Sequence, residues 1–232
     1  MELSSIAFIP DGNRRFAKQH GISLVDSYRL GTQKAWDVMH WLSDYPAIKT
    51  GTFYTLSLEN LTRNKTELHL LLKIFDRELD KAAANPIFED QNLRLRFIGQ
   101  TDLLPKKLKE KMTDLEKKTE DNKTRTINLA IGYSGQNEIV DAAKKIATDY
   151  QQGLLKLSDV TTETFKRFLY SDFSFPDLIV RTSGTKRLSG FLTYQSAYSE
   201  LYFLDKYWPE IQKNDLNQAV TEFNERDRRY GK

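Results

Sequence analysis

Six short apolar runs, each separated from the next by a longer stretch, set the plan of this chain. They are Ile6-Ala7-Phe8-Ile9, Thr50-Gly51-Thr52-Phe53-Tyr54-Thr55-Leu56, Leu93-Arg94-Leu95-Arg96-Phe97-Ile98, Thr126-Ile127-Asn128-Leu129-Ala130-Ile131, Asp177-Leu178-Ile179-Val180 and Leu201-Tyr202-Phe203. Their length and their β-branched or aromatic content are those of strands. The stretches between them place apolar residues at helical spacing. Ala35, Val38, Met39 and Leu42 form one such face, and Leu68, Leu71, Leu72, Phe75 and Leu79 another. Ile139, Ala142, Ala143 and Ile146 follow, then Phe165, Phe168 and Leu169, and last Leu216, Val220 and Phe223. Strand–helix alternation predicts an α/β fold with a mainly parallel, six-stranded sheet flanked by helices. The Leu93 run alternates apolar residues with Arg, which suits a strand near an edge. Residues 81–91 read as a loop between helix and strand, and residues 1–232 as a single domain.

Composition narrows the function classes. The 35 Lys+Arg and 32 Asp+Glu leave a net charge of only +3, without the basic stripe of a nucleic-acid binder. There is no cysteine, so disulfides, Cys-based zinc sites and thiol nucleophiles are excluded. No apolar run approaches the ~20 residues of a membrane span. The first residues lack the basic segment and cleavage site of a signal peptide. A soluble cytoplasmic enzyme is the expectation.

Ligands of parallel α/β sheets bind where strands end. The first run ends in Pro10-Asp11-Gly12-Asn13-Arg14-Arg15. There Asp11 suits a divalent cation, and a helix starting at Asn13 would offer free N–H groups to an anion. Arg14 and Arg15 add charge-assisted phosphate contacts. The same residues also make a good turn followed by solvated arginines. The second run ends in Ser57-Leu58-Glu59-Asn60-Leu61-Thr62-Arg63. Asn60 and Arg63, three apart, suit one pocket; a plain helix start capped by Thr62 or Asn64 fits equally. The fifth run ends in Arg181-Thr182-Ser183-Gly184-Thr185-Lys186-Arg187-Leu188-Ser189. Small residues with two arginines resemble a diphosphate cradle without the spacing of a P-loop, or else a flexible basic loop. His20, His40 and His69 show no metal spacing, and no Ser-His-Asp set is present. Helices expected over 27–43 and 66–85 suit core packing or the walls of an elongated apolar cavity.

In this order the segments resemble the cis-prenyltransferases, the undecaprenyl diphosphate synthase family. Asp11-Gly12-Asn13-Arg14-Arg15-Phe16-Ala17 is similar to the family's DGNxRWA, and Ser57-Leu58-Glu59-Asn60 with Arg63 to FSxENWxR. Gly132-Tyr133-Ser134-Gly135-Gln136-Asn137-Glu138-Ile139-Val140 is a weaker copy of NYGGRxEIV. Residues 176–203 follow the family's PDLLIRTGGExRLSNFLLWQxAYSELYF, and Arg228-Arg229-Tyr230-Gly231 resembles a C-terminal RRFG. The resemblance implies a homodimer with an apolar tunnel walled by two helices. It implies Mg²⁺-dependent condensation of an allylic diphosphate (dimethylallyl, geranyl, farnesyl or geranylgeranyl) with isopentenyl diphosphate, giving Z double bonds. It assigns Asp11 to Mg²⁺ and departure of the allylic diphosphate, and Gly12, Asn13, Arg14 and Arg15, with Ser57, to substrate binding. Asn60 and Arg63 take catalytic roles. Arg181, Arg187 and Ser189 hold the second diphosphate, and Glu200 contributes to metal coordination there. Arg229-Tyr230-Gly231 reaches across the dimer. Long products would bring the protein to the membrane surface, without an anchor. Thr55, Leu68, Leu71, Leu72, Phe75 and Ile127 are candidates for the tunnel floor.

Departures from the family pattern cluster at the two diphosphate sites. Thr185 stands in place of Glu, Ser183 in place of Gly, Gly190 in place of Asn and Leu61 in place of Trp. Gly132, Ser134 and Gln136 replace Asn, Gly and Arg, and Leu24-Val25-Asp26-Ser27-Tyr28 replaces an Arg-x-x-Gly-His segment. Arg14, where many relatives have Gly, offsets the lost Arg. Lavandulyl-type synthases, an irregular branch of the family, are similar in lacking the Glu, in residues 21–28 and in residues 225–231. Non-head-to-tail condensation, with dimethylallyl diphosphate as the nucleophile, is therefore the alternative. Non-catalytic subunits of the family typically lose the first-loop Asp and the Arg-rich loop, both of which this chain keeps.

Overall fold

A computed structural model describes residues 2–61, 64–170 and 174–226. Its strands are β1 (Ser5–Ile9), β2 (Thr50–Ser57), β3 (Leu93–Ile98), β4 (Arg125–Tyr133), β5 (Leu178–Arg181) and β6 (Glu200–Phe203). They form one sheet in the order β3-β4-β2-β1-β5-β6, and every pairing is parallel. Each expected strand is present within two residues of its expected ends. β3, with its alternating arginines, is an edge strand.

The helices are α1 (Asn13–His20), α2 (Leu24–Trp41), α3 (Leu58–Leu61), α4 (Lys65–Ala84), α5 (Ile87–Asp90), α6 (Lys106–Lys118), α7 (Gly135–Gln151), α8 (Thr162–Lys166) and α9 (Lys213–Glu225). α2 starts earlier than expected because Ser23 is its N-cap, accepting from the Asp26 N–H. Asn64 caps α4 in the same way, accepting from the Thr66 N–H at 2.9 Å. Residues 81–91 are not a plain loop. α4 continues to Ala84, and α5 follows because burial of Ile87 and Phe88 holds a helical turn against the core. The sequence reading assigned no helix to residues 106–118, although Leu108, Met112 and Leu115 recur at helical spacing and are buried. α8 ends at Lys166, before Phe168 and Leu169.

Alternation along β1 divides the core between two faces. Ile6 and Phe8 join the larger cluster, with residues of α2, α4, α6 and α9. Ala7 and Ile9 face the other side, with Tyr133, Ile179, Phe191 and Leu192. On the larger face Phe8 stacks on Phe53 at 5.0 Å, and both rings contact the buried Trp208. Fully burying each such side chain contributes about 1.5–3 kcal/mol. Among the described residues no helix is long and apolar enough to cross a membrane.

Chain order reverses between β1 and β5: β2 lies on one side of β1, and the strand reached after β4 lies on the other. Open parallel sheets form a crevice at such a point, beyond the carboxyl ends of the strands. Ile9, the last residue of β1, pairs in register with Arg181, the last of β5. The Asp11 loop and the Arg-rich loop therefore leave the sheet side by side.

Candidate active site

The two loops are locked together through Thr182. Its hydroxyl accepts from the Asp11 N–H at 2.9 Å and donates to the Asp11 carbonyl at 2.7 Å. Gly12 then turns the chain into α1 with φ 107°, and a Cβ there would stand 2.6 Å from the Tyr207 ring. Only glycine fits this backbone and this space. α1 begins without a side-chain cap, so the N–H groups of its first turn have no side-chain acceptor there, and its first residues, Asn13, Arg14 and Arg15, line the crevice.

Arg181 is the hub of the charged cluster, its side chain only 4% exposed. Its Nη2 donates to Asp11 Oδ2 at 2.7 Å, and its Nη1 donates to Ser189 Oγ at 2.9 Å and to the Arg187 carbonyl. Its Nε is buried without a hydrogen-bond partner, which leaves one more donor for a ligand. Arg187 Nε donates to the same Ser189 hydroxyl at 3.3 Å. Arg15 lies 3.4 Å from Asp11, donates to the Ser183 carbonyl and hydroxyl, reaches Thr185 Oγ1 at 3.4 Å and rests on the Tyr207 ring. Arg14 is mostly exposed and lies 3.9 Å from Glu67. Burial pushes the Asp11 carboxyl upward. The hydrogen bond and charge of Arg181, with Ser183 and Arg15, more than offset this and hold it below its ordinary value, so it is ionised at neutral pH. Burial raises the Tyr54 hydroxyl, which stays protonated and donates to the Tyr133 and Ser189 carbonyls.

Ser183 and Ser189 have φ of 79° and 51°. This left-handed backbone explains why the family pattern carries glycine at the Ser183 position. The loop is tied down by the Ser183 N–H donating to the Lys206 carbonyl at 2.7 Å and the Gly184 N–H donating to the Leu204 carbonyl at 2.8 Å.

These groups open onto one cavity of about 1130 Å³ between the sheet, α2 and α4. Asp11, Gly12, Asn13, Arg14, Arg15, Ser57, Asn60, Arg181, Arg187 and Ser189 all line it. Beyond them its walls turn apolar, with Ala35, Met39, Leu71, Ile74 and Phe75. Of the expected floor residues, Thr55, Leu71 and Phe75 line it; Leu68, Leu72 and Ile127 are not among its walls. The Asn60 N–H donates to Ser57 Oγ at 3.2 Å, which sets both at the mouth. Arg63 and Arg229-Tyr230-Gly231 lie outside the described residues. Glu200 is set apart from the cluster within the chain. It opens β6, pairs in register with Leu178 rather than Arg181, and accepts from Arg226 at 2.7 Å. Three residues of strand separate the two levels, about 10 Å.

Among the described residues no group of three or more His, Asp or Glu side chains is placed to hold a metal alone. One ionised carboxylate beside a diphosphate-sized basic cradle fits Mg²⁺, which is usually held by one or two carboxylates together with substrate phosphates. The sequence reading missed Thr182, Tyr207 and Trp208. Trp208 donates its indole N–H to the Gly31 carbonyl and its backbone N–H to the Asp11 carbonyl, joining α2 to the first loop. No spacing rule links residues so far apart.

The chain matches the family model for putative undecaprenyl diphosphate synthases over residues 9–231. It belongs to this family of cis-prenyltransferases. A relative from Methanopyrus kandleri, named tritrans,polycis-undecaprenyl-diphosphate synthase (geranylgeranyl-diphosphate specific), is 40% identical over 98% of this chain and 84% of its own length. One of the same name from Pyrobaculum aerophilum is 40% identical over 98% of this chain and 95% of its own. Among solved structures, lavandulyl diphosphate synthase from Lavandula x intermedia, in complex with dimethylallyl diphosphate, superimposes with a TM-score of 0.93 at 31% identity. That match covers 99% of this chain and 98% of the lavandulyl synthase. A probable undecaprenyl diphosphate synthase from Campylobacter jejuni gives 0.82 at 31% identity, over all of both chains. As a member of the family, this cis-prenyltransferase has a parallel sheet and a basic mouth in keeping with the expected fold.

Proposed function

We propose that this cis-prenyltransferase condenses an allylic diphosphate with isopentenyl diphosphate, extending the chain by a Z-configured isoprene unit and releasing diphosphate. The observation that carries the reading is one cavity whose mouth links Arg15, Asp11, Arg181 and Ser189 in series and whose deeper walls are mostly apolar. A diphosphate head and a hydrocarbon body need that pairing of surfaces.

Arg14, Arg15 and the first turn of α1 bind the allylic diphosphate, with Asn13 and the close-approaching Gly12 beside it. Arg181, Arg187 and Ser189 hold isopentenyl diphosphate, and Arg181 joins the two sites through Asp11. Asp11 would hold Mg²⁺ against the allylic diphosphate, where the ion would offset charge on the leaving group. The allylic C–O bond breaks and its electron pair leaves with the diphosphate. The isopentenyl double bond attacks the allylic carbon, and the C2 proton lost at the Ser57–Asn60 side passes to the released diphosphate, with Arg63 supporting that site. Apolar walls keep water from the developing cation and accept the growing chain as a tunnel. Geranylgeranyl diphosphate is the favoured primer, by analogy with the archaeal relatives. The reaction needs no nucleophilic side chain, so the missing Ser-His-Asp set is no obstacle.

The assembly is a homodimer formed along the open β6 edge, where Tyr198 is 79% exposed and Leu201 37%. Glu200, on that edge, would reach a metal only across such an interface. The single domain works in the cytoplasm, and long products bring it against the membrane surface. The high TM-score to the lavandulyl synthase favours a second reading, in which dimethylallyl diphosphate takes the second site. Thr185 beside Arg15, where the family has Glu, is consistent with it.

Diphosphate release by the purified protein with Mg²⁺, isopentenyl diphosphate and geranylgeranyl diphosphate tests the proposal. Release that needs both substrates and stops on chelation is expected. No release, with farnesyl and dimethylallyl diphosphates also silent, overturns catalysis and leaves the reading of a subunit that supports a partner.

A further inference from the structure

Trp36 and Glu78 line the same cavity away from its charged mouth. α2 and α4 both begin near that mouth, where the Tyr28 hydroxyl of α2 donates to Glu67 of α4 at 2.9 Å. Trp36 lies eight residues further along α2, about 12 Å deeper, and Glu78 eleven residues further along α4, about 16 Å deeper. There Trp36 Nε1 donates to Glu78 Oε2 at 2.8 Å. The two helices are thus tied twice, each time by an aromatic donor on α2 and a carboxylate on α4. Between the ties the walls are Gly31, Thr32 and Ala35 of α2 and Leu71, Ile74 and Phe75 of α4.

The deep tie is braced from two more directions. Lys81 holds the other Glu78 oxygen at 2.7 Å. The indole meets the buried Phe88 edge-on, with centroids 6.0 Å apart and planes at 73°. An alkyl chain pressing on this ring offers no acceptor for the indole N–H, so displacing the ring would leave a donor unpaired in an apolar space. Tie and brace together hold the Trp36 ring in place in the cavity wall; Met39 and Ala82, about one turn further along α2 and α4, line it as well.

We propose that Trp36 is the stop against which the growing chain ends, and that Glu78 is the positioning residue that holds it there. This rests on the chain-elongation reading above and names what sets product length in it. Of the six residues assigned from the sequence for this task, Thr55, Leu71 and Phe75 are part of the cavity wall, and Leu68, Leu72 and Ile127 are not.

The test compares the wild-type protein with Trp36→Ala, Glu78→Ala and Glu78→Gln. Each is supplied with Mg²⁺, geranylgeranyl diphosphate and labelled isopentenyl diphosphate; chain length and total label are read separately. Trp36→Ala should shift products to longer chains by one or more isoprene units, with incorporation retained. Glu78→Ala should give a broader distribution reaching longer chains. Glu78→Gln, which keeps a carbonyl acceptor for the indole, should restore the wild-type distribution. Wild-type chain length from an active Trp36→Ala protein, or Gln behaving as Ala at position 78, overturns the proposal. If Trp36→Ala is insoluble, Trp36→Leu carries the same expectation and the same contradiction. Absence of elongation by the wild-type protein would instead overturn the activity reading, a result distinct from unchanged chain length.

Discussion

At the mouth of the cavity, Asp11, Arg15, Arg181 and Ser189 stand at or just beyond the ends of β1 and β5, joined by Arg181–Asp11 and Arg181–Ser189 hydrogen bonds and an Arg15–Asp11 ion pair. At its deep end, Trp36, Phe75 and Glu78 project from long helices, with Phe88 from a short one, and apart from the two contacts of Glu78 with Trp36 and Lys81 the neighbours are apolar or aromatic. The mouth concentrates charge and left-handed backbone at Gly12, Ser183 and Ser189. The deep end has regular helices and none of that strain. The difference teaches that reaction and product length are separable. Chemistry depends on a few charged atoms at fixed distances, whereas length depends on the volume and stiffness of the walls.

The largest effect should come from removing charge at the mouth. Asp11→Asn keeps an acceptor for Arg181 and should lower turnover by about 10²-fold or more, as for loss of a preorganised electrostatic contact. Far-UV circular dichroism should be unchanged. Equal turnover would break the comparison, because the mouth would then not carry the chemistry. Gly12→Ala comes next. Forcing a Cβ into φ 107° against Tyr207 should destabilise the fold by about 1–3 kcal/mol. Urea unfolding would read this, and a neutral result would mean that the loop has another backbone available.

The mouth was the more legible half in the sequence, and the reason is local. A strand end, a turn and a helix start occupy adjacent positions, so Asp11 through Arg15 and Arg181 through Ser189 appear as contiguous strings. The strands were legible too, because apolar runs of period two or fully buried runs signal themselves. The pairing of the Asp11 and Arg181 loops is a product of sheet order, which Ile9 and Arg181 reveal only in register. The deep end was poorly legible. Trp36 and Glu78 belong to ordinary amphipathic patterns, and only packing of α2 against α4 brings them within 2.8 Å. α5 reads as loop in the sequence because four residues are too few to show a helical period.

Two smaller effects sharpen the contrast. Ala35→Leu adds bulk to the apolar wall and should shorten the product while leaving the first condensation nearly unchanged, which product chromatography would show. A fall in the first condensation with no change in length would place Ala35 with the mouth instead. Thr185→Glu sets a carboxylate beside Arg15, an exposed pair worth about 0–1 kcal/mol. A few-fold fall in KM for isopentenyl diphosphate is expected, with weaker use of dimethylallyl diphosphate in its place. No change in either substrate would mean that the family's Glu does not select the second substrate.

Product structure decides the central claim most directly. Purified protein with Mg²⁺ would receive isopentenyl and geranylgeranyl diphosphates in one reaction and dimethylallyl diphosphate alone in another. The account predicts a linear product with Z double bonds, grown by whole isoprene units, in the first reaction and no coupled product in the second. A branched or doubly allylic product from dimethylallyl diphosphate alone, with no elongation in the first reaction, would contradict it.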